Sequence, residues 1–156
     1  MGKRAKIGDI IEIETKIGFF YAQYTHKDST YGALLQIFDK NYETHLIEFP
    51  DLIQQNVRFS QFFPLNAALK KNIFTVVSNE KIREDLKPLP LFRLGVRNPA
   101  TKKVDVWWLW DGEKEWKIGD LDENQKKLSG LGVCNDTFLV NRLESGWRPE
   151  TDPAIK

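Results

Sequence analysis

The sequence predicts a mainly β (α+β) domain, built as a small bent sheet or SH3-like partial barrel with a few short helices and a Trp-rich C-terminal hairpin. Three observations predict it. Apolar and polar residues alternate with period two near the start, Ile11 and Ile13 against Glu12 and Glu14, which is the strand period. An aromatic run, FFYAQYT, follows a turn at residues 16–18 and leads into a polar loop at 26–30, so the first strands form a meander. The segment WWLWDGEKEW, from Trp107 to Trp116, gathers four of the five tryptophans around one Asp-Gly pair. Such a pair between strand-forming aromatics signals a hairpin, because both central residues of a type I′ turn need positive φ.

Taken in order, the stretch 8–26 reads as two antiparallel strands that turn at 16–18, the second over 19–25, and residues 31–38 form a third strand in which Gly32 marks a bulge. A short helical turn is expected at 51–55, after Pro50. Residues 57–63 alternate again and read as a strand. Pro64 then opens a short helix over 65–71, since proline is tolerated in a first turn. Residues 73–77 are β-branched and extended. The charged, proline-punctuated stretch 81–90 is a surface loop with one helical turn at 82–86, and 91–94 is a further short strand. A turn at 98–103 precedes the tryptophan hairpin, and 122–128 forms a polar helical turn. Asp136 is a candidate N-cap for a last helix over 137–145, closed by Gly146. A strand through 137–143 is the rival reading there.

At 156 residues the chain is long enough for one domain with a real core, with residues 1–6 frayed and 150–156 a loose tail. Net charge is +1, from 23 basic and 22 acidic side chains. A dedicated polyanion binder shows a basic excess or stripe; the only cluster here is Lys3, Arg4 and Lys6 at one end. The single cysteine, Cys134, excludes an intramolecular disulfide and fits a reducing compartment. No apolar run is long enough to span a bilayer, and no signal-peptide core opens the chain. The expected location is cytoplasmic.

Residues that carry chemistry are sparse. His26 and His45 stand far apart without ligand-spaced partners, so neither a metal nor any other cofactor is expected. Cys134 has no sequence motif that brings a histidine to it, and a lone cysteine is ordinarily packed. No phosphate loop, dinucleotide fingerprint or nucleophile elbow occurs, and the chain reads as a non-enzyme. The rings of Phe19, Phe20, Tyr21 and Tyr24 offer an alternative function, a base-stacking platform on a small nucleic-acid-binding barrel. Only Lys16 and Lys27 stand near to meet phosphates, and core packing accounts for the rings better.

The hairpin supplies the main candidate site. With Asp111 and Gly112 as the two central residues, Trp110 faces Glu113, Trp108 faces Glu115, and Trp107 faces Trp116. One face carries Trp107, Leu109 and Trp116. The other carries Trp108 and Trp110 beside Glu113 and Glu115, with Val104 and Val106 on the same side. Either all these rings are core, or Trp108, Trp110, Asp111, Glu113 and Glu115 form an aromatic patch with a charged rim, the makeup of a protein-binding hot spot. The glutamates resist burial, and a turn of another length inverts the faces.

The opening K-x-G-D-I-x-x-I (Lys6, Gly8, Asp9, Ile10, Ile13), the aromatic second strand FFYAQY and a later strand with Pro88, Pro90 and Phe92 occur in order. Over residues 6–93 this pattern resembles the immunity protein 26 family of bacterial polymorphic-toxin systems. The resemblance implies a mostly β cytoplasmic protein that binds and neutralises a toxin encoded nearby, without catalysis. It brings no catalytic residues with it. Immunity proteins against nucleases are often acidic; this chain is nearly neutral, which leaves the toxin's activity open.

Overall fold

The structure, a computed structural model, describes residues 4–156. It is mainly β, with two sheets. The first is five-stranded and wholly antiparallel, made of β1 (Asp9–Thr15), β2 (Gly18–Asp28), β3 (Gly32–Phe38), β4 (Val57–Phe63) and β5 (Thr75–Asn79), in the order β4-β3-β2-β1-β5. Its edges, β4 and β5, do not pair with each other, so the sheet is open rather than closed into a barrel. Helix α1 (Leu65–Lys70) follows Pro64 as expected. The second sheet holds β6 (Phe92–Leu94), β7 (Trp107–Trp110), β8 (Glu115–Gly119) and β9 (Ser129–Gly130), in the order β8-β7-β6-β9. Helix α2 (Asp136–Glu144) follows β9.

The first sheet is covered on both faces, which explains the apolar doublets that interrupt its alternation. Ile11, Ile13, Phe20, Leu35, Ile37 and Phe63 point to one side, where α1 and α2 bring Leu65, Leu69, Leu139 and Leu143. Their chain neighbours Ile10, Tyr21 and Phe38 point to the other, under Phe49 and Leu52 of the loop between β3 and β4. Farther along that second face, Leu34 and Phe62 meet Phe92 and Trp110 of the second sheet. Polar contacts complete the junction: Ser60 N donates to Ser129 Oγ at 2.8 Å, and Gln61 Nε2 to the Gly132 carbonyl at 3.1 Å.

Several local expectations are corrected. The ladder irregularities fall at Tyr24/His26, Ile10/Ile11 and Ile37/Phe38, and none falls at Gly32. Gly32 instead pairs with Asp28 at the β2–β3 turn. The β1–β2 turn needs its glycine: Gly18 has φ +122°, and a Cβ there would lie 2.5 Å from the Tyr42 carbonyl oxygen. The last helix is a helix, not the rival strand, but Asn135 rather than Asp136 caps it, its Oδ1 accepting from Phe138 N at 2.8 Å.

The described residues at both ends make specific contacts. Residues 1–3 of the expected frayed end lie outside the described residues, while Ala5 N donates to Asn66 Oδ1 and Lys6 N to Asp9 Oδ2, both at 2.8 Å. Residues 150–156 are docked. Val104 N donates to the Ala154 carbonyl at 2.9 Å, and Ala154 is buried with Val104 and Trp107.

Candidate functional site

The tryptophan segment forms the expected hairpin, with a longer loop. Trp110 stands opposite Glu115, Leu109 opposite Trp116 and Trp108 opposite Lys117. The loop is therefore residues 111–114, and the pairings Trp110–Glu113, Trp108–Glu115 and Trp107–Trp116 do not form. The cause is the Asp111 side chain. Its Oδ1 accepts from Glu113 N at 2.9 Å and Lys114 N at 2.8 Å, while Asp111 N donates to the Lys114 carbonyl at 3.1 Å. This side-chain turn competes with the two-residue turn that would need positive φ at Asp111. Only Gly112 takes positive φ in the loop, at +104°, and a Cβ on it would lie 2.6 Å from Leu89 Cδ2. The backbone N–H groups of Lys114 and Glu113 also hold the Asp111 carboxyl below the usual aspartate range.

The four tryptophans divide. Trp107 is buried beneath the Arg93 guanidinium, which lies 5.2 Å from its ring centroid, and packs beside Val104 and Ala154. Trp110 is 9% exposed and buried among Phe92, Tyr31 and Phe62, with centroids 5.8, 5.3 and 6.1 Å away. Its place in the aromatic patch is thus corrected: it belongs to the core. Trp108, its neighbour on the same face, is 38% exposed. Trp116 is 39% exposed on the opposite side. Asp111, Glu113 and Glu115 are all exposed, so the carboxylates of the candidate site face solvent as the cost of burying them requires.

Trp108 forms one wall of an open groove of about 600 Å3, with Leu94, Val96, Val106 and Leu131 as apolar lining and Asp105 and Glu115 as acidic lining. Val106 sits beside Trp108 as the alternation required, but Val104 turns away to Trp107. A register shift between Trp107 and Trp108 accompanies that change of side. Sequence reasoning missed Val96, Leu131 and Asp105. Val96 is 88% exposed, and nothing in its local pattern announces that the chain folds it beside the hairpin. Asp105 is paired, to Lys156 Nζ at 2.9 Å and Asn98 Nδ2 at 3.0 Å. Those two contacts, in that order of residues, hold its carboxyl below the usual range.

The other candidates are dispersed. His26 bonds to Thr25 Oγ1 and to the Lys87 carbonyl; His45 pairs with Glu12 at 2.7 Å. Neither reaches Cys134, whose thiol burial pushes up to about 11. At neutral pH that thiol stays protonated and is a poor nucleophile. Among the described residues no group of three His, Cys, Asp or Glu side chains is placed to hold a metal. Phe20, Tyr21 and Tyr24 are buried on the two faces of the first sheet, and Phe19 packs on His45 at 4.1 Å. These rings present no open stacking platform. Among the described residues no helix is long and apolar enough to cross a membrane.

The fold and groove define a mainly β protein with an aromatic, acid-rimmed surface beside a hairpin. Comparison with protein-family models, with curated proteins and with solved structures finds no match.

Proposed function

We propose that this chain is a non-enzymatic immunity protein that binds and neutralises a toxin encoded nearby, acting in the cytoplasm. The observation that carries the reading is Trp108, a large ring held 38% exposed over an apolar groove whose rim bears Asp105 and Glu115. Exposing such a ring is costly in an isolated protein and useful at an interface, where tryptophan is enriched at the residues that dominate binding. The resemblance of residues 6–93 to the immunity protein 26 family supplies the toxin as partner class. Asp105 is already paired with Lys156, and the exposed Glu115 favours a basic-apolar patch on that toxin, since complementary charge speeds encounter and suppresses wrong partners. The proposed surface is built on Trp108 and Glu115, which line the groove, with the exposed Asp111 and Glu113 on the hairpin loop and without the buried Trp110.

Co-expression with the neighbouring gene tests this. Rescue of growth from a toxic neighbour, with a copurifying complex that Trp108→Ala weakens, is the expected result. A toxic neighbour that this chain neither rescues from nor binds would reject the immunity role.

A further inference from the structure

A second cavity, of about 300 Å3, lies between β6, α2 and the segment after it, and three guanidinium groups line it: Arg93, Arg97 and Arg142. One carboxylate, Asp152, shares that lining. Arg93 is 2% exposed and donates to two carbonyls, of Pro149 at 2.6 Å and of Lys126. Among the described residues no carboxylate forms an ion pair with it. The Arg142 guanidinium carbon lies 3.6 Å from the Trp147 ring centroid and 4.4 Å from that of Phe138. Its N–H groups reach toward Gln61 and Asp152.

The remaining bonds are long. Arg142 reaches Gln61 Oε1 at 3.5 Å and Asp152 Oδ2 at 3.8 Å, and Arg97 reaches Asp152 Oδ1 at 3.4 Å. A satisfied N–H···O bond is about 2.7–3.2 Å. Asp152 instead spends its short bonds on Ala154 N at 2.7 Å and Trp147 Nε1 at 3.1 Å. Its single charge is therefore held by the chain after α2 and only partly offsets three cations. Glu150, the next nearest acid to Arg93, is exposed and does not line the cavity. Packing alone explains Arg142 between its rings. It does not explain why two more arginines share the same cavity with one acid, a like-charge arrangement that costs stability unless an anion offsets it.

We propose that this cavity binds a phosphate-class dianion, free or carried on a larger molecule, with Arg97 and Arg142 as its donors and Arg93 as the fixed charge behind them. The excess of two positive charges matches a phosphate monoester, which carries about −1.5 to −2 at neutral pH. Planar guanidinium forks match its oxygens in pairs. The proposal does not rest on the toxin reading, and the cavity adjoins the Trp108 groove, with which it shares Leu94, Gly95 and Leu131.

The test is titration of the whole chain with inorganic phosphate at constant ionic strength, followed by the indole N–H resonances, with acetate as a monoanion control. The expected result is a saturable shift of the Trp147 indole, weakened by at least about tenfold in Arg97→Gln, the loss of one charge-assisted hydrogen bond. Arg97 is half exposed, so that variant should fold even where Arg142→Gln does not. Phosphoserine binding tighter than inorganic phosphate would mark a ligand that carries its phosphate; the reverse order would mark the free ion. No saturable shift, an equal response to acetate, or an unchanged response in Arg97→Gln would overturn the site.

Discussion

Phe62 on β4 and Phe92 on β6 stack with ring centroids 5.2 Å apart and planes 29° from parallel, and this contact joins the two sheets. Both are fully buried, with Leu34 and Trp110 completing the cluster. Without β6, the outer face of the first sheet would expose Leu34 and Phe62 to water. The second sheet is thus a lid on the first as well as the scaffold of the hairpin.

Truncating either ring should therefore be expensive. Phe92→Ala is expected to lower unfolding free energy by about 3–5 kcal/mol, the range for a buried aromatic replaced by alanine. Phe62→Ala should cost a similar amount, and the double variant less than the sum, because each single change already removes the shared contact. Urea unfolding of the three variants measures this. A loss below about 1 kcal/mol for Phe92→Ala would mean that the sheets are not joined there.

Trp108 and Trp110 should behave oppositely despite sharing a face of β7. Trp110→Ala is expected to cost about 3–5 kcal/mol, while Trp108→Ala should cost less than about 1 kcal/mol. Partner binding should show the reverse ranking among variants that remain folded. Thermal melting paired with iodide quenching of tryptophan emission checks both halves, since Trp108 and Trp116 are the open rings of the hairpin. Equal destabilisation by the two variants would place Trp108 in the core and remove the aromatic surface.

Much of this architecture was legible in the sequence, and the failures have physical causes. Period-two alternation located β1 and β4, and Pro64 located the start of α1. The hairpin was placed correctly, but its loop length was not. Asp111 can serve a type I′ turn through its backbone or a longer turn through its side chain, and local sequence does not say which; the side chain won. That change moved Glu115 opposite Trp110. The separate fates of Trp108 and Trp110 depend on Phe62, brought in from another sheet, and alternation along one strand cannot carry that information. Arg93 shows the same limit more strongly: a charged residue in a short strand gives no local sign that it will be buried under carbonyls from residues 126 and 149.

Cys134 provides a test of burial by reactivity. Desolvation raises its pKa from 9.0 to about 11, which leaves about a hundredfold less thiolate at neutral pH than an ordinary cysteine has. Modification by a chromogenic disulfide at pH 7.5 should be slower than for free cysteine by about tenfold or more, because the greater nucleophilicity of a high-pKa thiolate offsets part of its lower population, and should accelerate in denaturant. A rate equal to that of free cysteine would show that the thiol is open and titrates like an ordinary cysteine, against the burial argued here.

Asp39 is expected to set how the fold responds to acid. Burial pushes its carboxyl up, but hydrogen bonds from Arg58 on β4 and from Arg148 outweigh this and hold its pKa below the ordinary value. The Arg58 Nε and Arg148 contacts are 3.0 and 2.6 Å long, so one carboxylate ties the first sheet to the segment after α2. A carboxyl whose folded pKa is depressed binds fewer protons folded than unfolded. Its contribution is complete above the unfolded value, about 3.9, and is lost as pH falls through the lower folded value. The wild-type protein should therefore be more stable than Asp39→Asn at pH 7, with the gap closing progressively below about pH 4. Because the side chain is 38% exposed, solvent screening keeps that gap small, and it should shrink further in high salt. Urea unfolding of both proteins across pH 2.5–7 measures it. A gap that is constant over the whole range would mean that Asp39 stabilises by something other than its charge.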